Sequence, residues 1–174
     1  MPDAQHNPSL RIRQETPDDI PSVHHVIRLA FGGDEEVELV EKLRRSSLFD
    51  PALSLVAEVE DQIVAHILFN HITVRNGSIA TPALSLAPLA VLPAWQRHGI
   101  GTQLTLRGLD IARTPSHRIC FVVGHPTYYP RFGFVPAHPL GLHDPHAGRP
   151  EASMVISLAN GSLNDLTGNV VYPP

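Results

Sequence analysis

Cysteine and lysine each occur once in this chain, as Cys120 and Lys42, and each scarcity excludes something. A single cysteine rules out an internal disulfide framework and fits a reducing compartment. A lone lysine, far from any glycine-rich loop, removes the Gly-Lys-Ser/Thr ending that a P-loop needs to hold nucleotide phosphates, which argues against NTP chemistry. Positive charge is scarce too. Thirteen Lys and Arg against 17 Asp and Glu give a net charge of -4, with no basic block, so nucleic acid is not expected as a partner. No apolar run approaches the ~20 residues needed to cross a bilayer, and the opening MPDAQHNPSL has no signal-peptide core. The expectation is a cytoplasmic protein without a membrane partner that handles something small. Hydrophobic residues make up 43% of the 174, enough for a real core. Residues 1–9 read as a loose tail and 10–174 as one domain.

The hydrophobic pattern alternates between the two regular periods. LRIRQ is a short strand. In TPDDI, Thr16 is placed to cap a helix, with Pro17 at its first position and Asp18 and Asp19 in its first turn. Ile20, Val23, Ile27, Ala30 and Phe31 follow at helical spacing. EEVELVEKLRR is a second helix, acidic at its start and basic at its end, as the helix dipole favours. LSLVAEVE and IVAHILFNHITV form a hairpin around Asp61-Gln62, and Asn76-Gly77 turns the chain again into LSLAPLAVL. From Ile100 the period returns to helical, with Ile100, Leu104, Gly108 and Ile111 on one stripe, until Thr114-Pro115. RICFVV is a buried strand, PTYYPRF a short helical turn, Phe134-Val135 the start of a strand, and MVISL the last strand. The order implies an α+β fold with a mainly antiparallel sheet and one central strand–helix–strand crossover.

PAWQRHGIGTQL, residues 93–104, carries the chemistry. Glycine in the first turn of a helix costs roughly 1 kcal/mol against alanine, and Gly99 and Gly101 stand together there. A helix start offers free N–H groups and a positive dipole end, and missing Cβ atoms let a phosphate sit on the amides. The spacing Gln96-x-x-Gly99-x-Gly101 therefore suggests a pyrophosphate cradle; the plain alternative is a tight strand-to-helix turn. A dinucleotide fingerprint would need a third glycine where Leu104 stands.

The segment PLAVLPAWQRHGIGTQLTLRGLDIAR resembles the acetyl-CoA-binding motif of GNAT-type N-acetyltransferases. CFVVGHPTYYPRFGFVPA is similar to that family's next strand, short helix and Gly-Phe turn. GGDEEVELVEKLR resembles the second helix of a bacterial single-domain branch of predicted acetyltransferases. The resemblance covers about residues 10–136 and implies a GNAT-like fold with acetyl-CoA as co-substrate and no metal. It further implies that backbone amides of Arg97, His98, Gly99, Ile100, Gly101 and Thr102, with Gln96, hold the CoA pyrophosphate. Leu89, Ala90 and Val91 would bond the pantetheine arm, and Tyr129 would protonate the departing thiolate. A thiol titrates near ~8.5 and a phenol near ~10, so the phenol carries a proton when the thiolate forms.

Two features depart from the family pattern. Pro88 lies in the strand that should donate N–H groups, which calls for a bulge or a splayed strand. LSLAPLAVL carries no carboxylate where many family members keep a general base, so Glu58, His125 or a relayed water must take the amine's proton. Glu58, on the earlier hairpin, is the expected base. The loop HPLGLHDPHAGRP gathers His138, His143, Asp144 and His146, but without cysteine or a second ligand pair it reads as surface loop and not as a zinc site. Cys120, inside an apolar strand, reads as inert core. The resulting expectation is acetyl transfer from acetyl-CoA to a primary amine of a small molecule or peptide, by direct attack in a ternary complex. The alternative is a catalytically weak CoA-binding or sensor module with the same fold. A homodimer is left open.

Overall fold

The computed structural model describes residues 9–174; the expected tail lies, but for Ser9, outside them. The elements run β1 (Leu10–Gln14), α1 (Ile20–Phe31), α2 (Glu35–Arg45), β2 (Ser54–Val59), β3 (Gln62–Asn76), β4 (Ile79–Val91), α3 (Ile100–Ala112), β5 (Ile119–Val123), β6 (Val135–Pro136), β7 (Leu142–His143), β8 (Ser153–Ser157) and β9 (Gly168–Val171). Before α1, Pro17–Asp19 form one tight 3-10 turn, and the Asp19 carboxylate accepts from the Thr16 N–H at 2.8 Å and its hydroxyl at 2.9 Å. Gly32, at φ 81°, ends α1 with its N–H on the Arg28 carbonyl. The first hairpin turns on Glu60 and Asp61, both with positive φ, the geometry that matches strand twist.

Among the described residues nine strands join one sheet, ordered β1-β2-β3-β4-β5-β8-β6, with β9 on the far end of β3 and β7 on β9. It is mixed and mainly antiparallel; β4 and β5 run parallel, as the crossover through α3 requires. That parallel pairing covers only Leu84–Leu86 against Cys120–Val122. Beyond it β4 continues to Val91 while β5 diverges, so the sheet opens at its centre. In the same place the β3–β4 register slips: Leu86 faces Phe69 and Leu89 faces Ile67, leaving Ala87 and Pro88 opposite Leu68. This is a bulge, and Pro88 sits in it, where a missing N–H breaks no ladder bond.

The core joins the inner faces of all three helices to the sheet. Val23, Val26 and Ile27 bury α1, whereas Phe31, expected on the buried stripe, is 46% exposed. Strand β9 had no counterpart in the sequence reading. Its four residues GNVV are too short for a period and take their place from pairing with Thr73–Arg75 of β3.

Candidate functional site

Gly99 caps α3 in the left-handed conformation, φ 78°, with open space where a Cβ would stand. The first bond of α3 runs from the Gln103 N–H to the Gly99 carbonyl at 3.0 Å. The N–H groups of Ile100, Gly101 and Thr102 therefore have no acceptor within the helix. Gly101 is packed differently: a Cβ there would lie 3.2 Å from the Tyr128 hydroxyl and 3.4 Å from Val91 Cγ2. Ahead of the glycines, Gln96 turns back and donates from Nε2 to the Val91 carbonyl at 3.1 Å, fastening the loop to the end of β4. Arg97 holds a positive φ of 65°, and the His98 ring bonds the Gln96 carbonyl at 2.8 Å and packs against Trp95.

The loop forms one wall of an open cleft of about 780 Å³, which Leu89, Val91, Gly99, Gly101, Thr102, His125, Tyr128, Tyr129, Arg97 and Arg131 line with Phe31. The cleft brings together most of the residues singled out from sequence. Its lining includes two guanidinium groups, Arg97 and Arg131, and no carboxylate, so its field suits an anion. Strand alternation decides which β4 groups face it. Leu92 N–H bonds the Val64 carbonyl at 2.9 Å, so in the same register Ala90 is spent on His66. The polar groups of Leu89 and Val91 point the other way, toward the gap left by β5. Of the three β4 residues expected to bond the pantetheine arm, Leu89 and Val91 turn their N–H groups away from β3, while the Val91 carbonyl is taken by Gln96.

Tyr128 and Tyr129 divide the opposite wall. Tyr128 is half-buried, and Arg131 lies over its ring at 4.4 Å and donates from Nε to its carbonyl at 2.8 Å. Tyr129 is buried between Tyr128, Phe134 and Phe132, with its ring hard against Gly124 at the end of β5. Burial pushes the Tyr129 phenol above its ordinary range, so it holds its proton throughout neutral pH.

Glu58, expected as the base, is not among the residues that line the cleft. It sits on β2 opposite Arg11, and its Oε2 accepts from Arg13 Nε at 2.8 Å, while Arg13 also clamps Asp19. That hydrogen bond ties β2 to β1. His125 does line the cleft. Two further polar groups are also structural. Ser54 and Glu15 both bond Nε2 of the fully buried His66, at 3.0 and 3.1 Å, so the ring cannot relay a proton between them. Cys120 is buried, and burial raises its thiol. Asp144 accepts from the Tyr172 hydroxyl and the His146 N–H, each at 2.9 Å. Among the described residues no group of three or more His, Cys, Asp or Glu is placed to hold a metal. No described helix is long and apolar enough to cross a membrane.

Residues 11–137 match the family model for the acetyltransferase (GNAT) domain. The chain is 33% identical over 162 residues to the uncharacterized N-acetyltransferase YhbS of Escherichia coli strain K12, covering 92% of this chain and 95% of that one. It is 41% identical over 119 residues to the uncharacterized N-acetyltransferase YjhQ of the same strain, covering 68% of this chain but 65%, just under two thirds, of that relative. The crystal structure of Escherichia coli YhbS in complex with CoA superimposes with a TM-score of 0.87 at 31% identity, over 95% of this chain and 91% of that one. A GNAT family acetyltransferase from Brucella melitensis in complex with acetyl-CoA gives a TM-score of 0.75 at 30% identity, covering 95% and 96%.

Proposed function

The chain belongs to the GNAT acetyltransferase family, and from that premise we propose that it transfers the acetyl group of acetyl-CoA to a primary amine. The observation that carries this reading is the start of α3, where Ile100, Gly101 and Thr102 have no acceptor within the helix, and where Gly101 and Thr102 line, with Arg97, a cleft without carboxylates. A diphosphate fits there by geometry and by charge: the helix start supplies donors, and Gly99 leaves open space beside them. Two similar proteins have been crystallised with CoA or acetyl-CoA. The pantetheine arm follows β4, meeting the outward groups of Leu89 and Val91.

At the gap between β4 and β5 the amine nitrogen bonds to the thioester carbonyl carbon, and the carbon–sulfur bond breaks with its electron pair left on sulfur. One proton leaves the nitrogen and one reaches the sulfur. Tyr129, protonated and at the end of β5, donates its O–H to the developing thiolate. His125 is the one histidine in the cleft lining, and its imidazole receives the amine's proton directly or through water.

The test is a calorimetric titration with acetyl-CoA, paired with release of free CoA thiol in the presence of amines. The parent should bind and turn over. Gly101→Val, which drives a branched side chain against Tyr128 and Val91, should stay folded and lose at least about tenfold in affinity. Equal binding by both proteins would dismiss the cradle.

A further inference from the structure

A second cavity, of about 350 Å³, lies across the sheet from the cleft. Phe69 and Leu86 face α3, since a Cβ on Gly108 would lie 2.5 Å from the Phe69 ring; their neighbours Asn70 and Ser85, paired with each other, face the opposite side. There Leu39, Lys42 and Leu43 of α2 and the segment Tyr172–Pro174 close over them. Ala87 and Val123 also line this cavity, at the point where β4 and β5 part, so it and the cleft meet the same opening from two faces.

Its chemistry differs from the cleft's. Most of the wall is apolar, no Asp or Glu lines it, and Lys42 is the one Lys or Arg side chain in it. Asp144, behind Tyr172, already accepts from the Tyr172 hydroxyl and the His146 amide. The Asn70 Oδ1 is buried with no hydrogen-bond partner, a state that costs free energy unless something donates to it. A polyamine or an aminoglycoside carries several ammonium groups and needs carboxylates that this wall lacks.

Resting on the acetyl-transfer reading, we propose that this cavity takes the acceptor, and that the acceptor is a small primary amine with an apolar body and one anionic group, of the kind a hydrophobic amino acid presents. Asn70 Oδ1 accepts an N–H of the amine and fixes the direction of its lone pair. Leu39, Leu43 and Val123 pack the apolar body, and Lys42 attracts the anion.

The experiment is thiol release at saturating acetyl-CoA with L-leucine, L-phenylalanine, leucinamide, spermidine and kanamycin. The amino acids should exceed leucinamide in kcat/KM by about tenfold or more. That margin should collapse in Lys42→Gln through KM, and Asn70→Leu should lower kcat/KM for leucine and leucinamide alike. Thermal denaturation and acetyl-CoA affinity report whether the Asn70 variant is folded; if it is not, the Lys42 comparison decides alone. Leucinamide equal to leucine, or spermidine or kanamycin above both, overturns the proposal, as does acetyl-CoA binding without acetylation of either amino acid. In each of those cases intact acetyl-CoA binding leaves the parent reading standing, whereas a chain that binds no acetyl-CoA sinks both.

Discussion

Substituting Gly124 by alanine displaces Tyr129 without removing its hydroxyl, which makes it a sharp probe of that residue's role. A Cβ on Gly124 would lie 2.4 Å from Cε2 of Tyr129, 3.2 Å from Cδ2 and 3.4 Å from Cζ. Gly124 is not among the residues with positive φ, so alanine strains nothing but this contact. Bringing Cε2 from 2.4 Å out to an ordinary 3.4 Å moves the ring edge by about 1 Å. The ring is hemmed in by Tyr128, Phe132 and Phe134, so it shifts as a body and carries the hydroxyl with it. A misplacement of about 1 Å costs on the order of 10²-fold in rate, or roughly 2.7 kcal/mol of barrier. Overpacking should lower stability by about 1–3 kcal/mol. Tyr129→Phe keeps the ring and deletes the donor, with an expected loss in kcat of roughly 10²–10⁴-fold and acetyl-CoA affinity retained. The decisive measurement is the cycle: in the Tyr129→Phe background, Gly124→Ala should cost almost nothing further in kcat, because no hydroxyl is left to misplace. Thiol release under saturating substrates gives kcat for all four proteins. If Gly124→Ala costs the same in both backgrounds, or Tyr129→Phe turns over like the parent, Tyr129 is not the proton donor.

Gly108→Ala should lower the melting temperature even though alanine is the better helix former by about 1 kcal/mol, because its Cβ would stand 2.5 Å from the buried Phe69 ring; a rise on thermal denaturation would contradict that packing. Glu58→Gln should leave kcat at the parental value across pH and cost about 1 kcal/mol of stability through Arg13; a pH-dependent loss of kcat would restore Glu58 as a base. The hydrogen bonds from Arg13 hold the Asp19 carboxyl well below its usual range. Its contribution to stability is therefore complete above the unfolded value of about 3.9 and is lost as pH falls from there through the folded value. Asp19→Asn should cost about 2 kcal/mol at pH 7 and flatten the acid side of the stability curve, as urea denaturation at pH 7 and pH 3 would show.

Local pattern carried much of this protein. The acidic-to-basic run EEVELVEKLRR coincides with α2, Asn76-Gly77 leads into the turn between β3 and β4, and Pro88 marks the bulge. In each case the determinant lies within a few residues of its effect: a helix dipole, a backbone able to take positive φ, a missing N–H. The glycine turn belongs to the same kind, since a helix start and two absent Cβ atoms are properties of the segment itself. What the segment cannot specify is which side chain meets which across the sheet. Glu58 had the chemistry of a base, but Arg13, 45 positions away, arrives on the neighbouring strand and takes it. Phe31 keeps the helical period yet is exposed and lines the cleft. Gly124 leaves the space that the Tyr129 ring fills, a contact that its own segment does not announce. Asn70, Lys42 and Tyr172 share one cavity only because β3, α2 and the segment after β9 converge on it. Periodicity tells a residue which face it takes; only the assembled chain decides what stands opposite, because that depends on closing loops between elements far apart in sequence.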